Sequence, residues 1–122
     1  MKRTTSSEHF RAKSDAFFSD LAALLFRKEG VHLASVSAPQ SLACYQTVDL
    51  NLCLQLRLVL IPLTNGRLLG RLSWLDRRGV DHVCCYVNEA FDCLIMAADG
   101  AWIKQAKSAE KLCINEFEAL VA

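Results

Sequence analysis

The chain has 122 residues, a formal net charge of +1 and 52% hydrophobic residues. These values exclude a disordered chain and indicate a single domain, 1–122, that is large enough for one hydrophobic core. The near-neutral charge gives no indication of nucleic-acid or membrane-surface binding. No run of about 18 apolar residues predicts a membrane-spanning helix.

The first residues are polar and contain no hydrophobic segment of the kind that a secretory signal needs. We therefore expect a cytoplasmic protein. The sequence contains six cysteines, most of them within apolar runs. In that compartment they should be reduced, and we expect them to act mainly as small hydrophobic residues.

The first predicted element is an amphipathic helix over residues 7–29, after a flexible tail at 1–6. Thr5 and Glu8 have the spacing of a capping box. Gly30 suits the left-handed position just beyond a helix end. Apolar side chains recur at helical spacing and predict one buried face, consisting of Phe10, Phe17, Phe18, Leu21, Leu24 and Leu25.

The strongest pattern in the chain is a leucine at every second position from Leu50 to Leu60. This alternation is typical of a β-strand with one buried face. A turn signal follows at residues 64–66 and a second apolar run continues to Leu75. Together the two runs predict a long β-hairpin.

The register of this hairpin depends on the length of its loop. A two-residue loop would place Leu58 opposite Ser73, whereas a three-residue loop places it opposite Leu72. Only the second register keeps the leucine face apolar on both strands. We therefore predict a three-residue loop that ends in a left-handed Gly66.

Shorter strands are predicted at residues 31–37, 82–87, 91–97 and 101–104, and residues 41–47 form either a separate strand or an extension of the long one. A second amphipathic helix is predicted at 108–120. The predicted fold class is α+β: an antiparallel meander of five to six strands with the N-terminal and C-terminal helices packed on one face.

If the helices cover the leucine face, the reverse face of the hairpin has no cover. It combines arginines with apolar side chains that a solvent-facing sheet would not need. We therefore predict a protein interface there, and a homodimer, since a second copy would cover it. The predicted interface residues are Arg57, Val59, Ile61, Leu69, Arg71 and Leu75.

Two alternatives to this binding or adaptor function stay open. In the first, the sheet curls around a small-molecule or enzymatic pocket lined by His32, Cys53, His82, Cys84 and Tyr86. In the second, the protein binds an extended peptide along an exposed strand edge, as a chaperone would.

No recognisable motif predicts catalysis: the sequence has no nucleophile elbow, no glycine-rich phosphate loop and no paired zinc-binding histidines. His82 and Cys84 share a strand face, as two zinc ligands would, but further donors at a recognisable spacing are missing. The adjacent Cys84 and Cys85 should point to opposite faces of their strand. We expect no catalytic residue, metal, cofactor, nucleic acid or membrane partner.

Overall fold

The computed structural model describes residues 6–122, which form two helices and seven strands. Helix α1 spans Ser6–Glu29 and helix α2 spans Ala109–Val121. The strands are β1 (Leu33–Ser35), β2 (Ala43–Thr47), β3 (Gln55–Pro62), β4 (Leu68–Leu75), β5 (Asp81–Val87), β6 (Cys93–Met96) and β7 (Trp102–Lys104). The α+β class is confirmed, but there are seven strands instead of five to six. Of the predicted tail at 1–6, residues 1–5, with the capping residue Thr5, lie outside the described residues, whereas Ser6 is already the first residue of α1.

The strands form one antiparallel sheet in which each strand pairs with its neighbours in the sequence, from β1 to β7. The predicted register of the β3–β4 hairpin is confirmed, because Leu58 pairs with Leu72 and Leu56 pairs with Trp74. The ambiguous segment at 41–47 contains the separate strand β2, which pairs with β3. The hydrophobic pattern therefore determined which faces of β3 and β4 are buried.

Four successive hairpins share one kind of loop. In each, three loop residues lie between two residues joined by a backbone hydrogen bond of 2.8–3.1 Å: Leu63 and Arg67, Asp76 and Val80, Asn88 and Asp92, and Ala97 and Ala101. The third loop residue is left-handed in every case: Gly66, Gly79, Phe91 and Gly100. The prediction for Gly66 is confirmed, and Phe91 is the exception to the use of glycine.

The prediction of a strand before Gln55 is wrong. Leu50 is 73% exposed, and Cys53 has a left-handed backbone with φ of 50°. The chain must reverse here because β2 ends at Thr47 and β3 runs back along it. Thr47 and Leu54 close this loop, since the Thr47 N–H donates to the Leu54 carbonyl at 3.0 Å and Thr47 Oγ1 accepts from the Leu54 N–H at 3.2 Å.

Both helices pack on the face of the sheet that carries Leu56 and Leu58, as predicted. The core joins α1 and α2 to strands β3 to β6; its buried residues include Phe10, Phe17, Phe18, Leu21, Leu25, Leu72, Trp74, Val87, Cys113, Ile114 and Phe117. The Trp74 indole N–H donates to the Cys113 carbonyl at 2.9 Å and so fastens α2 to the sheet.

The ends of the helices follow local rules. Gly30 is left-handed with φ of 70°, and its N–H donates to the Phe26 carbonyl at 2.8 Å, which confirms the predicted end of α1. Ser108 caps α2, since its hydroxyl oxygen accepts from the Lys111 N–H at 3.2 Å. Between residues 6 and 122, neither helix is both long and apolar enough to cross a membrane.

A β-bulge in β5 contradicts the prediction that Cys84 and Cys85 point to opposite faces. Leu72 pairs with Cys85, but Ser73 pairs with Val83, so Cys84 is an extra residue in the ladder. A bulge interrupts the strict alternation of side chains. As a result Cys84 and Cys85 both lie on the core side of β5, the side on which Cys113 of α2 is buried.

Candidate functional site

Neither helix covers the sheet surface opposite the leucine face, which we call the second face. The pairing register places all six predicted interface residues on it: Arg57, Val59 and Ile61 from β3, and Leu69, Arg71 and Leu75 from β4. Tyr86 extends the same surface, because it pairs with Arg71. The sheet therefore brings the six residues together on one surface.

At the centre of the second face, Asp81 lies between two arginines. Arg57 Nη2 is 3.8 Å from Asp81 Oδ1, and Arg71 Nη2 is 3.7 Å from Asp81 Oδ2. The three side chains are between 24% and 34% exposed. Beneath them lies Ser73, which is fully buried and pairs with Arg57 across the strands. We call these four residues the charge cluster.

The hydrogen bonding of the charge cluster is incomplete. Arg57 Nε, Arg71 Nε, Ser73 Oγ and Asp81 Oδ1 are buried atoms with no hydrogen-bond partner among the described residues. Most buried polar atoms in folded proteins are paired, because an unpaired one has lost its water without compensation. The cluster also has an excess of one positive charge. Its own side chains therefore leave both donors and acceptors unsatisfied, while 24–34% of each charged side chain stays exposed.

Sequence reasoning placed Arg57, Arg71 and Ser73 on this face, although Ser73 was not among the predicted interface residues, but it missed Asp81. Asp81 belongs to β5, and it comes next to the arginines only through the β4–β5 pairing, in which it lies opposite Leu75. Because the bulge shifts that pairing, alternation along the sequence could not have predicted it. The sequence did contain one signal for a polar site on this face, namely the polar residues Arg71 and Ser73 at alternate positions of β4.

Towards the β3–β4 loop, the second face becomes apolar and forms a half-open cleft of about 400 Å³. The cleft is lined by Leu63, Leu69, Leu94 and Trp102, with Arg67, Asn88 and Glu89 also on its wall. The rings of Trp102 and Tyr86 lie 5.1 Å apart. The volume lies within the range of small-molecule pockets, which is about 300–1,000 Å³.

The residues of the alternative pocket, His32, Cys53, His82, Cys84 and Tyr86, are not brought together. The His32 ring lies 4.3 Å from that of Phe26 at an angle of 32°, and Cys53 lies in the β2–β3 loop. His82 pairs with Trp74 on the helix-covered face, whereas Tyr86 lies on the second face. A single curled pocket lined by all five residues is not present in the described chain.

His82 instead forms a pair with Asp76, with 2.9 Å between Nε2 and Oδ2. The other carboxylate oxygen of Asp76 accepts from the backbone N–H groups of Arg78 and Val80 at 2.9 and 3.0 Å. The hydrogen bond with His82, followed by the bond from Val80, lowers the pKa of Asp76 to about 2. The pair therefore stabilises the β4–β5 turn.

On the opposite side of the sheet, four cysteines form what we call the thiol cluster: Cys84, Cys85, Cys93 and Cys113. Cys85, Cys93 and Cys113 belong to the buried core, and Cys84 packs against it. Burial raises the pKa of Cys93 to about 12. Across residues 6–122, no group of three or more His, Cys, Asp and Glu side chains is arranged to hold a metal ion.

Within the thiol cluster, the pKa values of two thiols are shifted in opposite directions. Contacts with Cys84 and Cys85, together with burial, raise the pKa of Cys113 well above its ordinary value. The hydrogen bonds from Cys113 and Cys93 lower the pKa of Cys85. Sequence reasoning treated these cysteines as packing residues, and it missed their contacts because the bulge and the docking of α2 create them.

No family model, no characterised protein and no solved structure matches this chain. The function must therefore be argued from its own side chains. The structure offers three candidates, which are the charge cluster with its apolar surroundings, the cleft beside it and the thiol cluster.

Proposed function

We propose that this protein is a cytoplasmic, non-enzymatic binding or adaptor domain that forms a homodimer through the second face. The observation that carries the proposal is the charge cluster, which holds half-buried charges of both signs and unpaired buried atoms. The exposed parts of these charged side chains can gain hydrogen bonds when a complementary surface covers them.

A second copy of the chain is the occupant that fits the charges. The charge cluster contains two guanidinium groups and one carboxylate, so it is complementary to itself about a two-fold axis. With the axis near Asp81, the carboxylate of each copy would face guanidinium nitrogens of the other. The exposed parts of the Arg57, Arg71 and Asp81 side chains, which are 24–34% exposed, are the groups available for this exchange.

The surroundings of the charge cluster support a face-to-face contact. Val59, Ile61 and Leu75 are half-buried, and Leu69 is buried. Interface cores are enriched in apolar and aromatic residues and in arginine, which this combination matches. The outer strands β1 and β7 have only three residues each, so an extended peptide would find little backbone to pair with at either edge.

The proposal is tested with two variants of opposite charge. Arg57→Glu combined with Arg71→Glu makes the cluster acidic, and Asp81→Lys makes it basic. Each variant alone should sediment as a monomer, because like charges would meet across the axis. An equimolar mixture should form a heterodimer, whereas the wild-type chain should be a homodimer at micromolar concentration.

The control is Lys28→Glu, which reverses a charge on α1, where Lys28 pairs with Glu118 at 3.6 Å. This variant should remain dimeric, and circular dichroism should show that all the variants are folded. A monomeric wild-type chain at micromolar concentration would contradict the proposal. So would a mixture of the two charge variants that does not associate.

A small-molecule site in the cleft is the second candidate, favoured by its volume and by the ring of Trp102 on its wall. The apolar anionic dye anilinonaphthalene sulfonate is a suitable probe, since Arg67 lies beside apolar side chains there. Ala90→Trp, which fills the mouth of the cleft, should abolish dye fluorescence. Fluorescence that persists in this variant would place the dye elsewhere and count against the cleft.

A further inference from the structure

The thiol cluster joins two elements that are far apart in sequence. The bulge in β5 turns the side chains of Cys84 and Cys85 towards α2, where Cys113 lies beneath both. Within the cluster, Cys84 is half-buried, while Cys85, Cys93 and Cys113 are buried. Cys84 is therefore the thiol that a dissolved reagent reaches first.

We propose that Cys84 and Cys113 are a redox modification site and that they form a reversible disulfide when the protein meets a peroxide. Cys113 belongs to the buried core and Cys84 packs against it, so both side chains lie where α2 meets β5. In a reducing compartment such a bond would be transient, as is typical of redox-sensing disulfides.

The chemistry takes place in two steps. Hydrogen peroxide transfers an oxygen atom to the Cys84 sulfur, which gives a sulfenic acid and one molecule of water. The Cys113 sulfur then attacks the Cys84 sulfur, the S–S bond forms and the S–OH bond breaks. The departing hydroxide leaves with the Cys113 proton as water, and peroxide has accepted the two electrons lost by the thiols.

Neighbouring thiols determine which pair reacts. Cys84 and Cys85 are adjacent in sequence, and a disulfide between them would be strained. Cys93 contacts Cys85 and is buried, so it lies away from the point of entry. The arrangement holds no metal-binding group of three donors within residues 6–122, which leaves the thiols available for oxidation.

The disulfide would close a loop of about 30 residues and fix α2 to β5. Restricting the unfolded chain in this way should raise the Tm of the protein by roughly 10 °C. Since Cys113 must lose its proton to attack, and its pKa is raised, bond formation should be faster at higher pH.

The test treats the reduced full-length protein with hydrogen peroxide, blocks the remaining thiols and digests it with trypsin. Trypsin cuts after Arg78, Lys104 and Lys111, so the bond should link peptide 79–104 to peptide 112–122. The number of free thiols should fall by two, and dithiothreitol should restore it. Cys84→Ser and Cys113→Ser should abolish the linked peptides, while Cys93→Ser and the distant Cys44→Ser should keep them.

Cys84 is half-buried, so Cys84→Ser is expected to fold even if the variant at the buried Cys113 does not. The Cys84→Ser variant alone is therefore sufficient to decide the test. Linked peptides that persist in Cys84→Ser would overturn the proposal, as would an unchanged thiol count after oxidation of the wild type. A Tm that is equal in the reduced and oxidised wild-type protein would also contradict it.

Discussion

Phe91 holds the left-handed third position of the β5–β6 loop, the position that Gly79 holds in the loop before it. A left-handed backbone costs a residue other than glycine about 1–2 kcal/mol. The Phe91 ring lies 5.6 Å from that of Phe10 and 5.1 Å from that of Phe17, so it packs on α1. This packing offsets the strain and ties the loop to the helix.

Two substitutions at Phe91 separate strain from packing. Phe91→Ala and Phe91→Gly both remove the ring and should each destabilise the protein, by about 2 kcal/mol or more for the alanine variant. The glycine variant should be about 1 kcal/mol more stable than the alanine variant, because glycine adopts the left-handed backbone without strain. Urea unfolding of both variants measures the difference.

The matched control is Ala90→Gly in the same loop, where no left-handed backbone is needed. Glycine should not stabilise the protein at that position. If Phe91→Gly unfolds more readily than Phe91→Ala, the strain assigned to Phe91 is not present.

Gly70 allows α1 to approach the sheet closely. A Cβ at this position would lie 2.8 Å from Leu58 Cδ1, 2.9 Å from Val87 Cγ2 and 3.1 Å from Phe10 Cε1. All three neighbours are buried core side chains with little freedom to move. Gly70→Ala should therefore destabilise the protein by about 1–3 kcal/mol through overpacking, as measured by urea unfolding.

Gly66→Ala is the control for this steric argument. A Cβ at Gly66 meets nothing within 4 Å, so its cost of about 1 kcal/mol comes from the backbone conformation alone. A Leu58→Ala background should reduce the loss caused by Gly70→Ala and leave that of Gly66→Ala unchanged, because Leu58 makes the shortest of the three contacts. Equal losses in both backgrounds would show that Leu58 does not impose the restriction.

The parts of the fold that sequence could predict are those where hydrophobic alternation and loop chemistry agree. On β3 and β4, only one register kept apolar residues opposite Leu56 and Leu58, and the Asn65–Gly66 turn allowed that register. The sequence also predicted that one face of the sheet would be uncovered, because the two predicted helices pack on the other face of a single sheet. Period and register are local properties, so one sequence suffices to predict them.

Predictions from the local sequence pattern were wrong or incomplete where pairing between distant segments determined the structure. The leucine alternation continues through Leu50 and Leu52, but the chain turns there because β2 returns along β3. Phe91 occupies a glycine position because α1 packs on it, which no local rule indicates. Asp81 and Cys84 take their places through the bulge, so neither the charge cluster nor the thiol cluster could be assembled from spacing.

The Asp76–His82 pair makes the stability of the folded protein depend on pH. The pKa of Asp76 is lowered from 3.8 to about 2 by the hydrogen bonds from His82 and Val80, so the folded state binds this proton more weakly than the unfolded state. Its stabilising contribution is therefore present above pH 3.8 and is lost as the pH falls through about 2.

Asp76→Asn should remove the stabilising contribution of the Asp76 carboxylate. The Tm of this variant should therefore fall less steeply than that of the wild type as the pH is lowered from 3.8 to about 2. Thermal unfolding monitored by circular dichroism at several pH values measures the slopes. Asp20→Asn, on the exposed side of α1, controls for the loss of one negative charge. Equal slopes in wild type and Asp76→Asn would show that the turn does not respond to acid through this residue.

The interface on the second face makes a final prediction for Val59, which is half-buried and pairs with Arg71 beside the charge cluster. Val59→Lys puts an ammonium group beside two guanidinium groups in the proposed dimer contact, where it would lose water without a suitable partner. Such a burial costs several kcal/mol, enough to weaken dimerisation by about 100-fold or more. Sedimentation velocity over a range of concentrations should show mainly monomer.

Val121→Lys is the matched control, because Val121 is 41% exposed and ends α2 on the other side of the sheet. This variant should dimerise like the wild type. Ile61, which pairs with Leu69 farther from Asp81, should behave like Val59 when replaced by lysine. If Val59→Lys and Ile61→Lys leave the dimer intact while the charge variants split it, the contact is confined to the charge cluster and the apolar end of the face lies outside it.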